Sequence, residues 1–87
     1  MQARKLATGR IELTTDERTV VIGAPKREQA SHRRVIRDVR TGRRIGHARC
    51  TSRGWWALDA EGELIDGPFT LDMGLRRAAA AVAGGAE

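Results

Sequence analysis

The sequence predicts an α+β fold: an antiparallel β-meander packed against one C-terminal α-helix. Three observations lead there. Between residues 10 and 66, alternating or β-branched stretches recur between turn residues, the pattern of strands joined by hairpins. One stretch near the C-terminus carries apolar residues at helical spacing. The length of 87 residues suits one small domain.

Residues 1–9 contain Arg4 and Lys5 but no apolar period, and are expected as a disordered basic tail ahead of a domain spanning 10–87. Arg10-Ile11-Glu12-Leu13-Thr14 alternates polar and apolar, Val20-Val21-Ile22 is β-branched, and Thr15-Asp16-Glu17 lies between them. That predicts a hairpin over 10–22. Gly23-Ala24-Pro25 breaks the pattern, and Lys26 to His32 is polar enough to form a linker or loop.

A meander of three to four strands is expected over 33–66. Val35, Ile36 and Val39 mark its first strand, about 33–40, with the adjacent Val35 and Ile36 on opposite faces. Thr41-Gly42 supplies the turn. Arg44 to Thr51 returns, with Ile45, His47, Arg49 and Thr51 on one face and Gly46, Ala48 and Cys50 on the other. Arg53-Gly54 turns again, Trp55 to Asp59 is a third strand, Glu61-Gly62 a turn, and Leu64-Ile65 a short fourth strand.

Gly67-Pro68-Phe69 leads into a helix over 70–83. Thr70 suits its N-cap, Asp72 favours the positive end of its dipole, and Leu71, Leu75, Ala78 and Val82 form one apolar stripe. Gly84-Gly85 is expected to end it through a left-handed cap. Gly74 costs a helix about 1 kcal/mol relative to Ala, so close approach of the sheet is expected there.

Charge is segregated along the chain. Arg33, Arg34, Arg37, Arg40, Arg43, Arg44, Arg49 and Arg53 fall within 21 residues that hold a single acid, Asp38. Residues 1–53 carry a net +9 and residues 54–87 a net −4, the latter set by Asp59, Glu61, Glu63, Asp66, Asp72 and Glu87. Clustered guanidinium groups repel one another unless a polyanion or an acidic surface faces them. Fourteen Arg against two Lys, with no Asn and no Tyr, also points to a high-GC bacterial genome or one of its phages or mobile elements. Codon bias explains part of the arginine count but not its segregation.

The inventory argues against catalysis. His47 and Cys50 are three residues apart on an expected strand, so they point to opposite faces. One Cys with His32 and His47 lacks the spacing of a structural zinc site. There is no Gly-rich phosphate loop and no nucleophile elbow. No cofactor and no metal are expected. A lone cysteine excludes an intrachain disulfide, the N-terminal bases have no apolar run behind them, and no stretch spans a bilayer. The expected setting is cytoplasmic, without membrane contact.

Arginine pairs bidentately with phosphate and with guanine, and a β-ribbon fits the major groove. The candidate contact set is therefore Arg33, Arg34, Arg37, Arg40, Arg43, Arg44, Arg49 and Arg53, with Trp55. Adjacent strand residues face opposite ways, so one of Trp55 and Trp56 anchors the core and the other lies among the arginines. The alternative for the cluster is a solvated charged face, and for the outer Trp, packing under arginine stems.

Arg44 to Ala80 resembles the AP2-type DNA-binding domain and the related arm-binding modules of phage integrases. The matching pieces are Arg44, Arg49, Arg53-Gly54-Trp55-Trp56, Gly67-Pro68-Phe69-Thr70 and Ala78-Ala79-Ala80. The resemblance implies a three-stranded sheet on one helix whose Arg- and Trp-bearing face reads the major groove, through Arg44, Arg49, Arg53 and one of Trp55 or Trp56. Asp59, Glu63 and Asp66 stand where such domains bring further bases, and on the same face they would repel phosphate. The expected function is a small non-enzymatic accessory or regulatory protein that binds nucleic acid, with duplex DNA favoured. A protein-interaction module is the alternative, binding a host protein or forming a homodimer between basic and acidic halves.

Overall fold

The computed structural model describes residues 1–24, 33–70 and 72–85. Its strands are β1 (Gln2–Lys5), β2 (Ile11–Thr14), β3 (Thr19–Ile22), β4 (Arg33–Asp38), β5 (Arg44–Thr51), β6 (Gly54–Asp59) and β7 (Leu64–Phe69), followed by helix α1 (Gly74–Gly85). A single 3-10 turn, Ala7–Gly9, joins β1 to β2. The strands lie side by side in chain order, every neighbouring pair antiparallel. The α+β meander with a C-terminal helix is as expected, but its sheet has seven strands.

Two additions account for the difference. The hairpin joins the meander instead of standing apart, because β3 pairs with β4 through Val20–Asp38, Val21–Arg37 and Ile22–Ile36. The Gly23 amide extends that ladder by donating to the Val35 carbonyl at 2.7 Å. The supposed basic tail supplies β1, which pairs with β2 from Gln2–Thr14 to Lys5–Ile11. All four β1 residues are exposed. Backbone pairing and the Arg4–Glu12 ion pair, at 3.1 Å, hold this edge strand, so no apolar period announces it. The expected loop Lys26 to His32 lies outside the described residues.

Alternation puts Leu13, Val20, Ile22, Ile36, Ala48 and Ala57 on one side of the sheet, where they meet Ala78, Ala79, Val82 and Ala83 of α1. As expected, Val35 and Ile36 separate, with Ile36 in this core. Ile45 departs from its expected face. Ile36 pairs with Gly46 but Arg37 with Arg44, so a bulge leaves Ile45 unopposed and it packs on the core.

The helix starts later than expected. β7 extends to Phe69, which pairs with Trp55, and so consumes chain that the sequence assigned to the approach to the helix. Thr70 is not an N-cap: its hydroxyl donates to the Asp72 carbonyl at 2.9 Å within the turn. Met73 precedes α1 with φ +70°, and its carbonyl accepts from the Arg77 amide. At the other end α1 continues through Gly85, and neither Gly84 nor Gly85 is left-handed. Leu71 lies outside the described residues.

Two glycines set how closely sheet and helix approach. A Cβ on Gly74 would lie 2.7 Å from Trp55 Cδ1 and 3.0 Å from the Phe69 carbonyl oxygen, the close approach expected there. A Cβ on Gly46 would strike the Leu58 carbonyl and lie 2.6 Å from Val82 Cγ1. The first obstacle is backbone, which cannot swing aside. Gly46→Ala is therefore expected to lower stability by about 2–3 kcal/mol, as overpacking does, measured by urea unfolding. A change below the error of that measurement would mean that α1 does not seat on β5 as described.

Candidate nucleic-acid interface

The face turned away from α1 is built by strand parity. Residues paired across an antiparallel sheet share a face, so the ladder Arg33–Arg49–Trp56 crosses β4, β5 and β6 on one side. The row Val35–His47–Leu58–Leu64 runs beside it, and Val21–Arg37–Arg44 forms a third. No described element lies over these rows, since α1 packs on the opposite side.

Both arginine rows contain a directly opposed pair, Arg33 with Arg49 and Arg37 with Arg44, and all four side chains are exposed. Like charges facing each other across strands destabilise a sheet. None of the four forms an ion pair with a described acid, although Arg44 borders a groove that Asp38 and Asp59 also line. Arg37 Nη1 does donate to the Gly42 carbonyl at 3.3 Å. Arg53, exposed in the β5–β6 turn, lies beside Arg49 and Trp56.

The remaining arginines of the cluster are placed elsewhere. Arg34 pairs with Ala48 on the helix side, where its Nε donates to the Gly23 carbonyl at 2.6 Å and its Nη2 to the Gly9 carbonyl at 2.9 Å. It ties the ends of β2 and β3 to β4, and burial draws its pKa below the usual guanidinium value. Arg40 and Arg43 sit in the β4–β5 turn, by a groove that Arg44, Glu17, Asp38, Asp59 and Glu61 also line. Their surroundings are of mixed charge.

The tryptophans divide as parity requires. Trp55 packs on the core against the start of α1, whereas Trp56 stands on the arginine face. The Trp56 indole N–H donates to the Thr51 hydroxyl at 2.8 Å, which fixes the ring. Trp56 thus takes the place in the candidate set assigned to Trp55 from the sequence. Asp59 pairs with Gly46, on the helix side, and its carboxylate accepts from the amides of Glu61 and Glu63 in the turn. It is not a neighbour of the arginine pairs in the ladder.

His47 entered the sequence analysis as a possible partner for Cys50 and, with His32 and Cys50, as a set that lacks zinc-site spacing. Parity separates the two, because His47 pairs with Leu58 and Cys50 with Trp55. His47 is only 7% exposed, and among the described residues its Nδ1 has no hydrogen-bond partner. Burial, then the charges of Arg44 and Arg33, hold its pKa below the ordinary imidazole value against a weaker pull from Asp59. The imidazole is therefore neutral at neutral pH and forms part of the floor beneath the arginines. A neighbour relation across strands was the available signal, since the pairs that hold Arg33 and Arg44 lie two positions to either side of the Val35–His47 pair in the β4–β5 register. Among the described residues no group of three or more His, Cys, Asp or Glu is arranged to hold a metal ion, and no helix is long and apolar enough to cross a membrane.

Comparison of the chain with protein-family models, curated proteins and solved structures finds no match. The functional reading therefore rests on residues and geometry.

His47 gives a pH dependence with a defined sign. Its folded pKa is depressed, so the unfolded chain binds the extra proton first, near pH 6.5. Its contribution to stability is complete above that pH and is lost as pH falls toward the folded value. Thermal unfolding at pH 7.5 and 5 should show a smaller acid-side drop in Tm for His47→Gln than for wild type. Equal drops would show that His47 does not titrate in this way.

Proposed function

We propose that the chain binds duplex DNA as a small non-enzymatic accessory or regulatory protein, through the sheet face that carries Arg33, Arg37, Arg44, Arg49, Arg53 and Trp56. One observation carries the reading: two directly opposed Arg–Arg pairs on a face that no described element covers. A sheet that opposes like charges in this way is less stable alone than with a polyanion laid across it. Arg33 and Arg37 are four residues apart, so the two pairs are separated by about 13 Å along the strand. The major groove is about 12 Å wide and admits a two-stranded ribbon. The β4–β5 hairpin can thus place one pair toward each bounding phosphate strand.

The resemblance to AP2-type domains supports the same orientation. β5, β6 and β7 form a three-stranded antiparallel unit with α1 behind it, and the Arg- and Trp-bearing face points away from the helix. Asp59 lies on the other side of the ladder, which removes part of the repulsion expected from the sequence.

Fluorescence anisotropy with a labelled duplex over a salt series tests this. Five arginines on phosphates give a slope of log K against log salt near about −4.5, and Arg37→Ala should make it shallower by about 0.9. Arg34→Ala should instead lower Tm and leave the slope intact, because Arg34 binds backbone carbonyls on the helix side. Absence of binding at low salt overturns the proposal.

A further inference from the structure

Along the outer face of β6, between the β5–β6 turn at one end and the β6–β7 turn at the other, lies an open pocket of about 450 Å³. It is lined by Arg49, Thr51, Arg53, Trp56, Leu58 and Leu64, with Gly62 at the β6–β7 end. We propose that this pocket takes an unpaired base of DNA, so that the protein prefers a duplex bearing a single-stranded extension to a blunt one. The inference rests on the DNA-binding reading above and adds the form of DNA that the site selects.

The lining is of two chemical kinds. Trp56, Leu58 and Leu64 are apolar, and Leu64 is open to solvent. Arg49 and Arg53 are cationic, and no lining residue is acidic. By contrast, the larger groove at the β4–β5 turn mixes Arg40, Arg43 and Arg44 with Glu17, Asp38, Asp59 and Glu61. Apolar walls with an aromatic ring and two flanking cations match a nucleotide: a flat base between a ring and aliphatic groups, its phosphates on the arginines. The volume falls within the roughly 300–1,000 Å³ of pockets that hold small molecules.

The base must be unpaired. Within a duplex both faces of a base are covered by its neighbours, and only an edge is presented to a protein. A ring can stack only on a base that has left that column. Trp56 is prepared for this, because its hydrogen bond to Thr51 holds the indole before any ligand arrives, which reduces the ordering cost of stacking. The placement is also suitable. The two Arg–Arg pairs lie on β4 and β5, and the pocket runs from Arg49 over β6 toward β7, one of the two edges of the sheet. A strand leaving the end of a duplex seated on the β4–β5 hairpin would run onto it.

The test uses the full chain and two DNA probes, a blunt duplex and the same duplex with a short single-stranded extension whose first unpaired base is 2-aminopurine. The extended probe is expected to bind roughly 5- to 150-fold more tightly, the equivalent of one base stack, with quenching of 2-aminopurine on binding. Trp56→Leu, which keeps an apolar side chain, should abolish the difference in affinity between the two probes, whatever it does to binding of both. The quenching in the wild-type protein stands as evidence even where that variant does not fold. Equal affinity of the wild-type protein for both probes, or unquenched 2-aminopurine, overturns the pocket assignment while leaving duplex binding in place. No binding of either probe removes both readings. Tighter binding of a ribonucleotide extension overturns the commitment to DNA.

Discussion

Helix α1 seats on the sheet through its smallest side chains: Ala78, Ala79 and Ala83, with Val82, meet Ala48 and Ala57 and the bare backbone of Gly46. Small residues bury little area each, so the contact gains from proximity, where dispersion between many closely packed atoms accumulates. One helix of twelve residues must cover a sheet of seven strands. It can cover one side only, and the side is decided by which strand parity is small and apolar. A slip of one residue in β4 would carry Arg33 and Arg37 beneath the helix and turn Ile36 out. The packing of alanines therefore fixes the register that gathers the arginines on the opposite face.

That face is under electrostatic tension which the core must offset. Arg33 against Arg49 and Arg37 against Arg44 are unfavourable pairs, and His47 lies buried beside them without a partner for Nδ1 among the described residues. Neutral imidazole is the form that adds no further charge, which is why burial and the two nearest arginines act on it in the same direction. Such a concentration of like charge in a small domain sits where a functional surface is expected and where stability alone would not place it.

Much of this was legible in the sequence because parity is a strong rule. β5 occupies Arg44–Thr51 as its alternation predicts, Val35 and Ile36 separate, and the two tryptophans divide between core and surface. The failures have identifiable causes. β1 is a strand by pairing rather than by burial, so no apolar period marks it. β7 contains Gly67 and Pro68, residues that weaken a strand reading, yet it reaches Phe69 through irregular pairing with β6 and displaces the start of α1. The bulge at Ile45 breaks the alternation on which its face assignment depended. Arg34 could have been separated from Arg33 by parity alone; treating the arginines as one cluster concealed it.

The segregation of charge along the chain consequently differs from the segregation in space. In sequence the division falls near residue 53, bases before and acids after. In the fold, Asp59 is opposite Gly46, Arg34 is drawn to backbone carbonyls, and Arg40 and Arg43 share a groove with acids. The cluster of eight is reduced to Arg33, Arg37, Arg49 and Arg53, with Arg44, which belongs to the sheet face by pairing and also borders that groove, and these five share a face with Trp56. The helix side is the core, so arginines of any origin collect at exposed positions; what drift does not require is that they stand directly opposite one another, where like charges destabilise a sheet. Parity leaves those opposed pairs on the side without a helix, and the strand arginine of the cluster that it turns toward the helix is held by two main-chain carbonyls. The opposed pairs, rather than the count, are what the proposed DNA contact would explain.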